Sequence, residues 1–336
     1  MNRRTRMLVA LARRMPHPEP PTSRYLARLR MNPPAPTLSR RLLGPIPRGV
    51  RLTDRLLPLG SGDRPARVYQ PTSRHQPGST MPLVINFHGG GFVFGNLSQT
   101  DWLCGQIASR VDAVVVSVSY RLAPEFPAPV PFEDCRDATD WLLSHADELG
   151  ADPARTSVMG ASAGGNLAAL VALAHRDACR LDPDRPPLQH QVLLYPATDL
   201  TLSSPSVAEL SDAPILTRAI MDWYGRRYLP QGLPDSLSSD HPSVSPLFAE
   251  HADLAPALII AAGQDPLRDD ALRYADALER AQVPHRVVLY PDAIHGFIAM
   301  PRIVVEASAA VQEIVASLTG ASLPAPFTEV EATERR

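Results

Sequence analysis

The sequence predicts an α/β domain: a mostly parallel central sheet with helices on both faces. Three observations carry this. Continuous apolar runs of strand length recur along the chain, stretches with helical spacing of apolar residues lie between them, and turn-forming residues follow the runs. At 336 residues the chain can fill one large domain or two smaller ones.

The elements follow in order. "VRLTDRLLPL" and "ARVYQP" read as two strands around the turn "GSGDRP". "PLVINFH" is a continuous apolar run, as expected of a strand buried on both faces. A helical stretch at 99–110 precedes "AVVVSVSY", another such strand. Across 132–149, Phe132, Cys135, Ala138, Trp141, Leu142 and Leu149 share one side of a helix. "TSVM" is a core strand, with a helix over 163–176 after it. "HQVLLYP", "ALIIAAG" and "RVVLYP" are three more strands, with helices expected at about 268–282 and 301–318.

Three segments fall outside this rhythm. Residues 1–48 form a proline- and arginine-rich arm. Its apolar residues Met7, Leu8, Leu11, Tyr25, Leu26 and Leu29 recur at helical spacing, so the arm is expected to pack over the site, with Tyr25 and Leu29 near the entrance. Residues 200–246 interrupt the α/β domain at 49–319 with loop, helix and six prolines, as a lid over an active site does. Residues 320–336 are polar and lack apolar periodicity, which predicts disorder.

Composition excludes several classes. Net charge is −2, so nothing global points to nucleic acid. The charge is uneven: residues 1–55 carry thirteen arginines against Glu19 and Asp54, hence +11, leaving −13 for the rest. Cys104, Cys135 and Cys179 are scattered and form neither a disulfide framework nor a zinc motif, which predicts a reducing, cytoplasmic setting. The N-terminal apolar run "MLVALA" is six residues long and is followed at once by arginines, unlike a secretion signal. No stretch approaches the roughly 20 apolar residues of a membrane span.

The chemistry centres on "GASAG", where Ser162 sits between a strand and a helix with glycine two positions to either side. A nucleophile on a sharp strand-to-helix turn requires such neighbours, and the helix N-terminus behind it favours negative charge. "HGGGF" follows a buried strand, where three glycines bring bare N–H groups close to a ligand oxygen. A serine needs a base, and the base an orienting acid. Of ten histidines, His295 sits just past a core strand beside a glycine; His88 belongs to the glycine loop and is expected to hold its shape. The other histidines look like surface or turn residues. Asp265 stands immediately after a core strand, at the sheet edge where ligands bind. Asp269 and Asp270 read as caps of the next helix. In the lid, Ile215, Ile220, Trp223, Tyr224 and Leu229 surround a short amphipathic helix, and at least one of Trp223 and Tyr224 is expected to line the substrate pocket.

"HGGGF", "SVSYRLAPE", "GASAGGN", "YPATD", "HPSVSPLFA", "AGQDPLRDD" and "HGF" occur in one order between about Val50 and Leu318. With these the chain resembles the hormone-sensitive lipase family of α/β-hydrolases, in its bacterial esterase branch. The resemblance implies the α/β-hydrolase fold with a helical cap built from an N-terminal arm and an insertion. It implies Ser162 as nucleophile, His295 as base and Asp265 as its partner. The oxyanion donors would be the N–H groups of Gly90, Gly91 and Ala163, with Gly89 shaping the turn. Two departures stand out: Ala161 replaces the usual aspartate before the nucleophile, leaving Arg121 in need of another partner, and Asp270 stands where glutamate is commoner.

The expected function is a serine carboxylesterase acting on small, short-acyl esters through an acyl-enzyme, with no metal or organic cofactor. Its partner is a small-molecule ester, and a homodimer is left open. Alternatives on the same fold are a deacetylase acting on ester or amide groups of a secondary metabolite, and a non-catalytic ligand-binding protein. The presence of His295 argues against binding alone, since receptors of this family lack that histidine. Ser162 argues against a lyase on the same glycine loop.

Overall fold

The computed structural model describes residues 30, 44–72, 80–231 and 236–321. Eight strands form one sheet: β1 (Val50–Leu59), β2 (Gly62–Pro71), β3 (Met81–Phe87), β4 (Val114–Val118), β5 (Ala151–Ala161), β6 (His190–Leu194), β7 (Ala257–Gln264) and β8 (His285–Ile294). Their order is β1-β2-β4-β3-β5-β6-β7-β8. The first two strands pair antiparallel to each other, and β2 is antiparallel to β4; every later pairing is parallel. The hairpin turn is tighter than the sequence suggests: β2 already begins at Gly62, which pairs with Leu59.

Strand alternation divides the core in two. Leu83, Ile85 and Phe87 of β3 face one side and Val84 the other. On the first side pack the helices α2 (Val130–Ser144) and α3 (Ala163–Leu181), through Cys135, Leu142 and Leu167. On the second side pack α1 (Asp101–Val111), through Leu103 and Ile107, and the C-terminal helix Glu306–Thr319, through Val311 and Ile314. The central strands are buried on both faces, which is why they read as unbroken apolar runs. The α3 helix runs five residues beyond the expected end at 176, and the C-terminal helix starts at Glu306, not 301.

The segment after β6 leaves the sheet. It carries two short helices, α4 (Pro205–Glu209) and α5 (Arg218–Tyr228). Thr217 starts α5 by accepting the Ile220 N–H on its hydroxyl at 3.2 Å. The chain then rejoins the sheet at β7 and continues through α6 (Arg268–Arg280), β8 and the C-terminal helix, here α7.

Both ends of the excursion are tied to the core by polar side chains. The Asn166 amide on α3 donates to the carbonyls of Ala197 (2.7 Å) and Val244 (2.8 Å). The Ser245 hydroxyl accepts the Leu200 N–H at 2.8 Å, and the Leu247 N–H reaches the Thr198 carbonyl at 3.1 Å. Asp270 on α6 accepts the N–H groups of Thr198 (3.1 Å) and Asp199 (3.0 Å). Asp269 accepts the Ser206 N–H at 2.8 Å. Both aspartates stand in the first turn of α6, as expected, but the capping role is corrected: the helix start has no side-chain cap hydrogen bond, and both bind the excursion, through contacts 63 or more residues away in the chain.

Candidate active site

Ser162 occupies the turn between β5 and α3 with φ 58° and ψ −121°. That left-handed φ is costly for a non-glycine residue, so the surroundings must enforce it. They do so by close approach. A Cβ on Gly160 would run into the carbonyl of Gly164, and one on Gly164 into the carbonyl of Phe87. Ser162 N–H donates to the Leu194 carbonyl on β6 at 2.9 Å, and its own carbonyl accepts the Asn166 N–H at 3.1 Å.

His295 lies one residue past β8, and Asp265 one residue past β7. His295 Nδ1 is 2.7 Å from Asp265 Oδ2, and Nε2 is 3.0 Å from Ser162 Oγ. A carboxylate only accepts, so the proton belongs on Nδ1 and leaves Nε2 free to take one from serine. Asp265 is fully buried, and its other oxygen accepts the Leu267 N–H at 2.9 Å. The carboxylate is thus pinned on both sides. Tyr195 packs edge-on to His295 at 5.0 Å and fixes the imidazole plane.

The glycine loop abuts this turn: a Cβ on Gly89 would stand 2.8 Å from the Ala161 carbonyl and 3.4 Å from Ser162 Cβ. Gly90 and Gly91 have φ 125° and 58°, a backbone open to glycine. The Gly90 carbonyl accepts the N–H groups of Val93 (3.1 Å) and Phe94 (3.0 Å), while the N–H groups of Gly90 and Gly91 donate to nothing among the described residues. Ala163 opens α3, so its N–H is one of the unsatisfied donors of a helix start. His88 is buried, stacked on Tyr120 at 4.3 Å, with Nδ1 2.9 Å from the Gly89 carbonyl. Burial pushes its pKa down to about 4, so it stays neutral and unfit as a base.

A cavity of roughly 220 Å³ opens on Ser162, His295, Gly90, Gly91 and Ala163. Its remaining walls are mostly apolar, among them Leu200, Leu216, Met221 and Tyr224 from the excursion. Of the two aromatic residues of which at least one was expected on the pocket wall, Tyr224 lines the cavity and Trp223 does not. Successive helix residues point about 100° apart, and Trp223 turns into the core with the Arg227 guanidinium 3.7 Å from its ring centroid.

Arg121 has found its partner in Asp134, which it meets at 2.7 Å and which also binds Arg64 at 3.0 Å. Nothing in the sequence singled out Asp134. The reading of the other histidines as surface or turn residues is corrected for His175 and His251, which are buried against the carbonyls of Pro186 and Pro246. Tyr25 and Leu29 lie outside the described residues. Arg30, next to them in the chain, donates to the carbonyls of Val93 (2.8 Å) and Ala123 and pairs with Glu125 at 2.7 Å.

A family profile described as the alpha/beta hydrolase fold matches residues 84–299. The esterase LipI of Mycobacterium tuberculosis is 40% identical over 267 residues, covering 79% of this chain and 81% of LipI. The chain belongs to the hormone-sensitive lipase family of α/β-hydrolases. An ethyl acetate hydrolase of Pseudomonas putida is 35% identical over 257 residues, 76% of this chain and 77% of that protein. Among solved structures, the hyperthermophilic esterase of the archaeon Pyrobaculum calidifontis aligns with a TM-score of 0.75 and 40% identity, covering 84% of this chain and 89% of its own. This α/β-hydrolase is a carboxylic ester hydrolase. Among its described residues, no helix is long and apolar enough to cross a membrane.

Proposed function

We propose that this carboxylesterase works through an acyl-enzyme on Ser162. The observation that carries the reading is the unbroken Ser162–His295–Asp265 chain of 3.0 and 2.7 Å opening into an apolar cavity. Ser162 Oγ bonds to the ester carbonyl carbon as its proton passes to His295 Nε2. Negative charge collects on the carbonyl oxygen, opposite the donors of Gly90, Gly91 and Ala163. The C–O bond to the alcohol breaks, and the alcohol leaves with the proton from His295. Water then repeats the sequence on the acyl-enzyme and frees the acid.

Short acyl groups suit a cavity of roughly 220 Å³, and a relative named for ethyl acetate hydrolysis supports the same class. The bonds of Arg30 to the Val93 carbonyl and to Glu125 support a bracing role for this residue at the glycine loop. The three free cysteines support a reducing, cytoplasmic location.

The test is active-site labelling with a fluorophosphonate, alongside nitrophenyl esters of two to twelve carbons. Label should sit on Ser162 alone and vanish in Ser162→Ala, and turnover should peak at the short esters. Label that persists in Ser162→Ala, or a peak at the longest chains, overturns the assignment.

A further inference from the structure

The glycine loop ends in an anomaly. Phe92 follows Gly91 with φ 63°, a left-handed conformation that is an outlier for a bulky aromatic residue. Two contacts hold it there. Its carbonyl accepts the Ala123 N–H at 2.9 Å. Its ring lies flat on the ring of Tyr228, the last residue of α5, with centroids 3.8 Å apart and planes 6° from parallel. Tyr228 is fully buried, and its hydroxyl has no hydrogen-bond partner among the described residues. Phe92 and Tyr228 also line the cavity, and it is the Tyr228 ring that meets the glycine loop.

Phe92 is the pivot of the loop. The Val93 and Phe94 N–H groups both return to the Gly90 carbonyl, closing a turn around Gly91 and Phe92. That carbonyl shares a peptide plane with the Gly91 N–H. While Phe92 keeps its left-handed backbone the turn is closed, the plane is fixed, and the Gly91 N–H is aimed. If Phe92 relaxes, the two bonds to Gly90 are lost and the plane rotates. The excursion braces the same turn from a second point, since the ring of Tyr224 lies directly over Gly91 and leaves no space for a Cβ there.

We propose that Tyr228 is a positioning residue for the oxyanion hole: through its stack on Phe92, helix α5 sets the direction of the Gly91 N–H. This rests on the reading of Gly90, Gly91 and Ala163 as oxyanion donors. It makes the excursion part of the rate machinery as well as a wall of the cavity.

The test compares Tyr228→Leu, Tyr228→Phe and Phe92→Leu on nitrophenyl butyrate. Tyr228→Leu should lower kcat roughly 10- to 100-fold with KM within about threefold, short of the 10²- to 10³-fold loss of a whole donor. Affinity for a trifluoromethyl ketone, whose adduct carries an oxyanion, should fall by a similar factor. Tyr228→Phe should recover most of that loss. Phe92→Leu should match Tyr228→Leu, and the double variant should add little, because both break one stack. The proposal is overturned if folded Tyr228→Leu keeps kcat within twofold, if its loss lies in KM, or if Phe does no better than Leu. Should Tyr228→Leu not fold, Phe92→Leu with full kcat overturns it equally. Failure of the triad reading looks different: the wild-type enzyme itself would resist the ketone, or Ser162→Ala would stay active.

Discussion

Ser162 and the excursion over residues 198–246 face each other across one cavity, yet they are fixed in different ways. Ser162 is held by backbone: its N–H binds Leu194, its carbonyl takes the Asn166 N–H, and carbonyls crowd the glycines on either side. The excursion is held largely by side chains, chiefly Asn166, Ser245, Asp269 and Asp270. Backbone anchoring tolerates almost no change in position, which suits bond-making. Side-chain anchoring lets the walls vary while their ends stay fixed, which suits substrate choice.

The largest effects should fall on the backbone-anchored side. Ser162→Ala and His295→Ala should each lower kcat on nitrophenyl acetate by about 10⁴-fold or more, and the double variant by little beyond that, because the pair acts as a unit. Multiplying losses of similar size would break the comparison at its first term.

Next come the two neighbours on α5. Trp223→Ala, which empties a buried site, should cost about 3–5 kcal/mol in urea unfolding with unchanged acyl-chain preference. Tyr224→Ala should shift the butyrate-to-octanoate ratio of kcat/KM toward octanoate severalfold. A Trp223 variant that alters chain preference would move the cavity wall from where the structure has it.

Asp270 sharpens the comparison through pH. Burial pushes its carboxyl up to about 7, against the opposing pull of the Ser204 hydroxyl, the Asp199 N–H and Arg273, with Asp199 adding repulsion. The folded chain therefore keeps a proton that the unfolded chain releases from about pH 4 upward. This contribution to stability should fall as pH rises from about 4 to about 7, then level off. Asp270→Asn should remove that slope and, at pH 8, cost about 1–3 kcal/mol, because the amide oxygen still takes the two N–H groups that share Oδ2 while its NH2 cannot accept from the Ser204 hydroxyl. Urea midpoints at pH 5 and 8 decide it; equal slopes in both proteins would mean that Asp270 titrates normally.

The smallest effect belongs to Arg218 and Asp222, a half-exposed pair one turn apart at 3.1 Å. Arg218→Ala should change stability by less than about 0.5 kcal/mol. A larger loss would show that the outer face of α5 also bears on the cavity.

What the sequence disclosed follows the same division. The strands were legible because burial on both faces leaves an unbroken apolar run, and the turn at Ser162 because its glycines answer to local sterics. Ties across the chain left no such mark. Asp134 looked like any helix acid, and Asp269 and Asp270 carried a local explanation that contacts with residues 198–206 displaced. Trp223 and Tyr224 illustrate a further limit. An apolar helix face can turn to a core or to a cavity, and periodicity does not distinguish them.

The sheet order has a consequence for how the enzyme gains its activity. Ser162 and His295 are 133 residues apart along the chain, and Asp265 lies between them, 30 residues before His295. Each stands at the end of a different strand, and the glycine loop follows yet another. Long loops must close before such parallel pairings are rewarded, so formation of this constellation is slow compared with formation of its helices. During refolding, ester turnover should lag the helical signal, because the first hydrolytic event requires β3, β5, β6, β7 and β8 to have docked in register.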